Sequence, residues 1–203
     1  MMKNKNIVEL KNLIFIGFLP VLIFNFGNLS NYFYQMIAAR IMNFENFGLF
    51  NEFNVYLVTI LSPFVSLPLL ISKFVTEYDQ NNNSNSFFIF IKNKISKLSF
   101  FYLGITFVIF YFYTYENSFE KLIAIIITLI NSFLSIYVTI FYAYLNGKKN
   151  YLFFSIATAS PLLLKLIFLL IIFIFFKNIV FYIALITTTM GILLTLLILK
   201  LKI

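Results

Sequence analysis

Lys165 is the residue of this chain that most needs a physical account. It lies about twelve residues from either end of a predominantly apolar run, Phe153 to Phe176, or about 18 Å from each end at a rise of about 1.5 Å per residue. A lysine stem does not reach water from that depth. A charged side chain at the centre of a membrane helix costs about 2.5–3.5 kcal/mol. Five readings are open: a wet cavity, an anionic ligand, an acid supplied by another body, a neutral amine, or an amine packed on the carbonyl freed at Pro161. A second group lies in the first apolar run, where Asn25, Asn28, Asn31 and Gln35 recur at intervals of three or four and so share one helical face. Such a stripe is costly against lipid. It fits either hydrogen bonding to neighbouring helices or a surface facing a substrate. Asn131, in the fourth run, and Arg40, at the end of the first, complete the set of polar residues with potential binding chemistry.

Other chemistries have no seat. The chain has no Cys and no His, which removes thiol chemistry, disulfides and the commonest metal and acid–base ligand together. The seven acids, Glu9, Glu45, Glu52, Glu77, Asp79, Glu116 and Glu120, fall near the ends of apolar runs or between them, so no buried acid pair is expected. There is no glycine-rich phosphate loop and no internal repeat. The expectation is a chain that is not an enzyme, with no catalytic residues, no metal and no cofactor.

The elements that must position these side chains are membrane helices. Of 203 residues, 62% are hydrophobic and 11% charged, against about 45–50% and about 25% in soluble domains. An all-α integral membrane protein is the class this composition allows. Six spans are expected in one lobe covering 1–203, at roughly 13–36, 53–71, 98–115, 122–145, 153–176 and 179–199. Lys3, Lys5 and Lys11 precede the first run, which is longer than a signal-peptide core and is read as a retained helix. Asn43 and Glu45 are expected to cap a corner through Asn43–Phe50, with Gly48 there for close approach or a positive φ. Pro63 and Pro68 should break the second span. Asn81–Ser86 reads as a loop tip, and Phe87–Lys97 as an amphipathic helix start at an anionic surface. Asn146–Asn150 reads as a tight basic turn.

The net charge of +8 is a matter of orientation in such a chain, and no nucleic-acid role is expected. With the N-terminus inside, inner segments carry Lys3, Lys5, Lys11, Lys73, Lys92, Lys94, Lys97, Lys148, Lys149, Lys200 and Lys202. Outer segments carry Arg40, Lys121 and Lys177. That bias puts both termini in the cytoplasm of a multi-pass cytoplasmic-membrane protein, in agreement with an even number of spans.

Three stretches carry a resemblance. They are Ala39-Arg40 with Phe47-Gly48-Leu49-Phe50, Leu67-Pro68 with Ile71-Ser72-Lys73-Phe74-Val75, and Tyr142 to Tyr151 running into Pro161-Leu162-Leu163-Leu164-Lys165-Leu166. In order and spacing they resemble the N-terminal six-helix lobe of the oligosaccharide-lipid flippases, the polysaccharide branch of the multidrug/oligosaccharidyl-lipid/polysaccharide exporter superfamily. The resemblance implies flipping of lipid-linked oligosaccharide across the membrane for surface polysaccharide of the O-antigen or capsule type, by alternating access between two lobes. The partners it implies are the bilayer, the lipid-linked oligosaccharide, and a second six-helix lobe or a second copy in a homodimer. Lys165 and Arg40 would then meet phosphate, and Asn28, Asn31, Gln35 and Asn131 the sugars. A structural membrane subunit without transport, or a small-molecule exporter of the same superfamily, are the other readings.

The orientation is directly testable in a chain that lacks cysteine. Single cysteines replacing Asn83 and Asn117 should label with an impermeant thiol reagent from opposite faces of the membrane, Asn83→Cys from the cytoplasm. Labelling of both from outside intact cells would overturn the topology.

Overall fold

The computed structural model describes residues 17–80, 83–113, 119–175 and 181–200. Those residues are almost entirely helical, and none is in a strand. The helices are α1 (Leu19–Ile41), α2 (Phe44–Leu61), α3 (Leu67–Asp79), α4 (Ser84–Tyr113), α5 (Phe119–Gly147), α6 (Tyr151–Phe175) and α7 (Phe181–Lys200), with a 3₁₀ turn at Ser62–Phe64 between α2 and α3. Among the described residues, five segments are long and apolar enough to cross a membrane: α2 through α3 taken together, α4, α5, α6 and α7. The chain is therefore an all-α membrane protein. At 23 residues, or about 34 Å, α1 is long enough to cross as well. It falls outside that set because its asparagines and glutamine lower its hydropathy, and it packs along α6 instead.

Several boundaries differ from those the sequence predicts. The first span does not leave its helix at Ala39-Arg40, since α1 continues to Ile41 with Arg40 in its last turn. The beginning of the expected span, 13–16, lies outside the described residues. The corner at Asn43–Phe50 shrinks to Met42-Asn43. The Asn43 side chain accepts from Asn46 N–H at 2.8 Å, and α2 starts at Phe44. Asn43 is the cap; Glu45 sits within the first helical turn. Gly48 has neither a positive φ nor a close neighbour. The third span is longer than expected, because α4 runs unbroken from Ser84 for 30 residues, about 45 Å. That exceeds a hydrocarbon core of about 30 Å, and the lysine-bearing Phe87–Lys97 stretch forms the start of this same helix, as the sequence predicts. The other expected ends lie within two or three residues of α5, α6 and α7. Glu116–Ser118 and Lys177-Asn178 lie outside the described residues.

The prolines act as predicted, and the structure shows how the freed carbonyls are met. Pro63 and Pro68 each stand in the first turn of a new helical piece. Pro63 cannot donate to Thr59 C=O, and that oxygen accepts from the Ser62 backbone N–H and from the Ser62 hydroxyl, the latter at 2.9 Å. Beside the break, Ile60 C=O accepts the Tyr102 hydroxyl of α4 at 3.2 Å. Inside α6, Pro161 leaves Ala157 C=O without its helical donor, and Ser160 Oγ donates to it at 3.0 Å. Each Ser-Pro pair thus repairs its own defect.

The helices pack in the order α1–α6–α7–α5; α2, α3 and α4 also pack on α5, and α2 reaches α7 and α1 as well through Phe53 on Phe181 and Phe50 on Tyr34. The core is two apolar clusters at different depths. One, around Ile71, Val75, Phe88, Phe141 and Tyr144, lies toward the ends of α3, α5 and α7 and the start of α4. The other, around Tyr34, Phe50, Phe53, Leu169 and Phe181, lies toward the opposite end of the bundle. The buried polar residues Thr128, Asn131, Ser132 and Thr187 lie on α5 and α7 between them. The outward surface is apolar, with Phe100, Phe101, Ile174 and Phe175 among the most exposed residues, as lipid requires.

The turn after α5 gathers the first cluster's end of the bundle. Thr76 Oγ1 donates to Gly147 C=O at 3.0 Å, and Lys149 takes φ 57° so that Asn150 N–H can return to Leu145 C=O at 3.0 Å. Lys148 is ion-paired with Asp79, which also accepts from Ser84 Oγ at 2.8 Å. The hydrogen bond to Asp79 holds the Lys148 ammonium above its ordinary pKa. Here α3 and α5 touch at Gly147. A Cβ there would lie 2.6 Å from Val75 Cβ and 2.8 Å from Ser72 O, and a backbone oxygen cannot swing aside. Gly147→Ala is expected to destabilise the folded bundle by about 1–3 kcal/mol, as overpacking does. Gly48→Ala, in open space, should leave it unchanged or slightly firmer. Unfolding of both variants in graded denaturing detergent checks the contrast.

Candidate functional site

Three helices converge on Lys165, and small residues let them. On α1 the fully or nearly buried positions Gly27, Ser30, Tyr34 and Ala38 recur at three or four residues and form the face toward α6. A Cβ on Gly27 would lie 2.9 Å from the Ala159 Cα, so the two backbones are in direct contact. On α7, a Cβ at Gly191 would lie 2.9 Å from Pro161 O and 3.1 Å from Lys165 N, which fixes α7 against the same stretch of α6.

The Lys165 side chain turns toward α1. Its Nζ stands 4.6 Å from the centroid of the Tyr34 ring, over the face. Tyr34 is wholly buried, and its hydroxyl reaches α7, donating to Ala184 C=O at 2.9 Å and lying 3.1 Å from Thr187 Oγ1. Thr187 Oγ1 also lies 2.7 Å from Ala184 C=O. Two protons serve these three contacts, so at most two of them are hydrogen bonds at one time. The ring is thereby held by α7 and offers its negative face to the amine. Among the described residues, Lys165 has no carboxylate in salt-bridge range.

The stripe on α1 flanks this arrangement. Asn31, one turn before Tyr34, has a buried Oδ1 with no hydrogen-bond partner among the described residues. Gln35 is half-buried on the same flank, while Asn28 and Asn25 are exposed. Ser30 turns into the helix contact and donates to Phe26 C=O at 2.8 Å. On α1, Asn31 and Gln35 thus flank Tyr34 in sequence, with Asn28 about one turn before Asn31.

Asn131 lies elsewhere. It is 1% exposed between α5 and α7, where its Nδ2 donates to Thr188 Oγ1 at 2.9 Å and to Leu185 C=O at 3.3 Å, with its Oδ1 also unpartnered. Thr187 and Thr188 are adjacent, so Asn131 and Tyr34 grip the same turn of α7 from two sides. Asn131 does not line a surface with Lys165. Arg40 is exposed in the last turn of α1, six residues beyond Tyr34 and well separated from the amine. Sequence reasoning passed over Tyr34. The signal was the small-residue spacing Gly27–Ser30–Tyr34–Ala38, which places the tyrosine on the buried face while its hydroxyl demands a partner.

Comparison with known protein families, curated proteins and solved structures finds no match to this chain. The chemistry of the site is thus argued from its residues alone. It offers a cationic donor on an aromatic face, a neighbouring unpaired amide oxygen, and further amides leading outward.

The Tyr34–Thr187 contact should couple the two helices measurably. Interhelical hydrogen bonds of this type average about 0.6 kcal/mol, with about 1.7 as an upper value. A double-mutant cycle of Tyr34→Phe and Thr187→Val is expected to show a coupling energy in that range. Additivity within about 0.3 kcal/mol would mean that the hydroxyl pair holds nothing together.

Proposed function

We propose that this chain is one six-helix lobe of a flippase for lipid-linked oligosaccharides in the cytoplasmic membrane, working with a second lobe or a second copy of itself. In this reading both termini are cytoplasmic, and the end of the bundle bearing Lys92, Lys148, Lys149 and Lys200 is the inner one. The lysine excess at that end supports the orientation, since lysine and arginine are retained on the cytoplasmic side.

The observation that carries the reading is the Lys165 amine over the Tyr34 ring face, with no carboxylate in salt-bridge range among the described residues. A phosphate or pyrophosphate group needs a cation and hydrogen-bond donors, and Lys165 supplies three donors without a carboxylate competitor. Sugar hydroxyls can donate to an amide oxygen such as Asn31 Oδ1 and exchange hydrogen bonds with Gln35 and Asn28. Exposed Asn25 and Asn28 on a membrane-depth helix also call for a polar neighbour, which the opposing wall of a central cavity provides. Asn131, closed between α5 and α7, serves cohesion in this scheme, and Arg40 lies at the mouth. Rigid rocking of two lobes about such a midplane site is the physics of alternating access.

The test is translocation of a fluorescent polyprenyl-pyrophosphoryl oligosaccharide in vesicles holding the full chain at a density that permits self-association. The parent and Lys165→Arg should move the lipid at rates within about threefold of each other, and Lys165→Met should lose at least about tenfold, the cost of one charge-assisted contact of about 1.4 kcal/mol or more. Equal transport by Lys165→Met removes the residue from phosphate recognition. No transport by the parent, with the chain shown to be folded and self-associated, favours a structural subunit instead.

A further inference from the structure

A second polar feature sits away from Lys165, at the lysine-rich end of the bundle. Between the first turns of α4, the last turns of α5 and the end of α7 lies a groove of about 450 Å³. That is within the roughly 300–1,000 Å³ of small-molecule sites. Its floor is apolar, made by Phe88, Phe141, Leu193 and Leu196, and its rim carries Lys92 from α4 and Lys200 from α7. Among the described residues that line it, none is acidic. The nearby acid that could neutralise the rim is committed: Asp79 is paired with Lys148 and bonded to Ser84. Asn85 also lines the groove, with its Oδ1 taken by the Tyr144 hydroxyl, which leaves its amide N–H groups as donors.

We infer that this groove binds one anionic phospholipid, its phosphate between Lys92 and Lys200 and an acyl chain along the Phe88–Phe141–Leu196 floor. The argument is charge complementarity combined with depth. A membrane protein's grooves fill with lipid whatever their chemistry, but two cations from different helices over a hydrocarbon floor select a head group with net negative charge. Basic pockets between helices at the cytoplasmic face bind anionic head groups for this reason. α4 and α7 are not direct packing neighbours in this bundle; both lean on α5. A lipid phosphate held by both rim lysines therefore bridges two helices that the protein itself leaves apart. The inference does not depend on the transport reading, because the groove and its rim are features of the bundle end.

Native mass spectrometry of the purified full chain, with phosphatidylglycerol and phosphatidylcholine of the same acyl chains offered in equal amounts, tests it. The parent should retain one phosphatidylglycerol in preference to phosphatidylcholine, and that preference should fall with ionic strength. Each lysine near an anionic surface is worth about fivefold in binding. Lys92→Gln with Lys200→Gln should therefore weaken the preference by about twenty- to thirtyfold, while Lys92→Arg with Lys200→Arg keeps it. Lys94→Gln with Lys97→Gln, of equal charge change but outside the groove, should leave the preference within about twofold. Equal retention of the two lipids by the parent overturns the inference. So does an equal loss in the Lys94/Lys97 pair, which would assign the preference to diffuse charge. Inorganic phosphate at millimolar concentration should not displace the lipid; displacement would identify a free-anion site.

Discussion

Every backbone carbonyl inside a bilayer must find a donor within the protein, and the organisation of this chain follows from that demand. Helices meet it by construction, so irregular backbone is confined to places where a side chain can take over. The chain inserts prolines at membrane depth in two different spans and sets a serine before two of them, at Ser62-Pro63 and Ser160-Pro161. In both pairs the serine hydroxyl donates to the carbonyl four residues before the proline, and at Thr59 the Ser62 backbone N–H does so as well. The defects are thus local and compensated, and the helices can bend there without exposing polar groups to lipid. Ser160 does a second job, its hydroxyl lying 3.0 Å from Thr195 Oγ1 on α7, so the repaired position in α6 is also a point of attachment.

Cohesion between the helices has to come from contact and hydrogen bonding, because lipid tails solvate an apolar helix as well as another helix does. Three close crossings are made by glycine: Gly27 on Ala159, Gly147 on Val75 and Ser72, and Gly191 on Pro161 and Lys165. Around them, hydroxyl and amide groups reach across, with Tyr34 to Ala184, Asn131 to Thr188 and Thr76 to Gly147. The polar seam on α5 and α7 lies between two apolar clusters, so these bonds form where competing water is scarce. α7 is gripped by α1 on one side and α5 on the other at successive threonines. A shift of α7 would therefore alter the Lys165 site and the Asn131 contact together.

The class of the chain was legible in its composition, and the later spans were legible because Asn146–Asn150 and the apolar runs around it leave little choice of boundary. The first hairpin was harder to read. Ala39-Arg40 looks like an exit from the membrane, yet an arginine in the last turn of a helix is favourable to its dipole, and α1 continues through it. The corner expected through Asn43–Phe50 fits an interfacial turn, with Phe44, Phe47 and Phe50 at the interface, but one good cap at Asn43 starts a helix that absorbs them. Phe87–Lys97 reads as the amphipathic start of the next helix, and with no glycine or proline to interrupt it α4 continues from there into the span. In the site, Lys165 and the amide stripe were visible as polar residues in apolar runs. That the lysine meets the Tyr34 ring was not, because that depends on how α1 and α7 pack on α6, and helical periodicity gives a face without naming the neighbour on it.

Lys165 shows why the neighbour matters. A charged amine at the centre of a span costs about 2.5–3.5 kcal/mol, while a desolvated cation–π contact returns about 2. The Tyr34 ring, fixed in place by its hydroxyl on α7, therefore offsets most of the burden and leaves about 0.5–1.5 kcal/mol. A buried carboxylate would cover that remainder and more, but would also occupy the amine permanently. An aromatic face stabilises the cation while leaving its N–H donors directed elsewhere, which is the property a binding group needs and a purely structural lysine does not. Tyr34 is thus the residue through which the packing of three helices sets the availability of one charge.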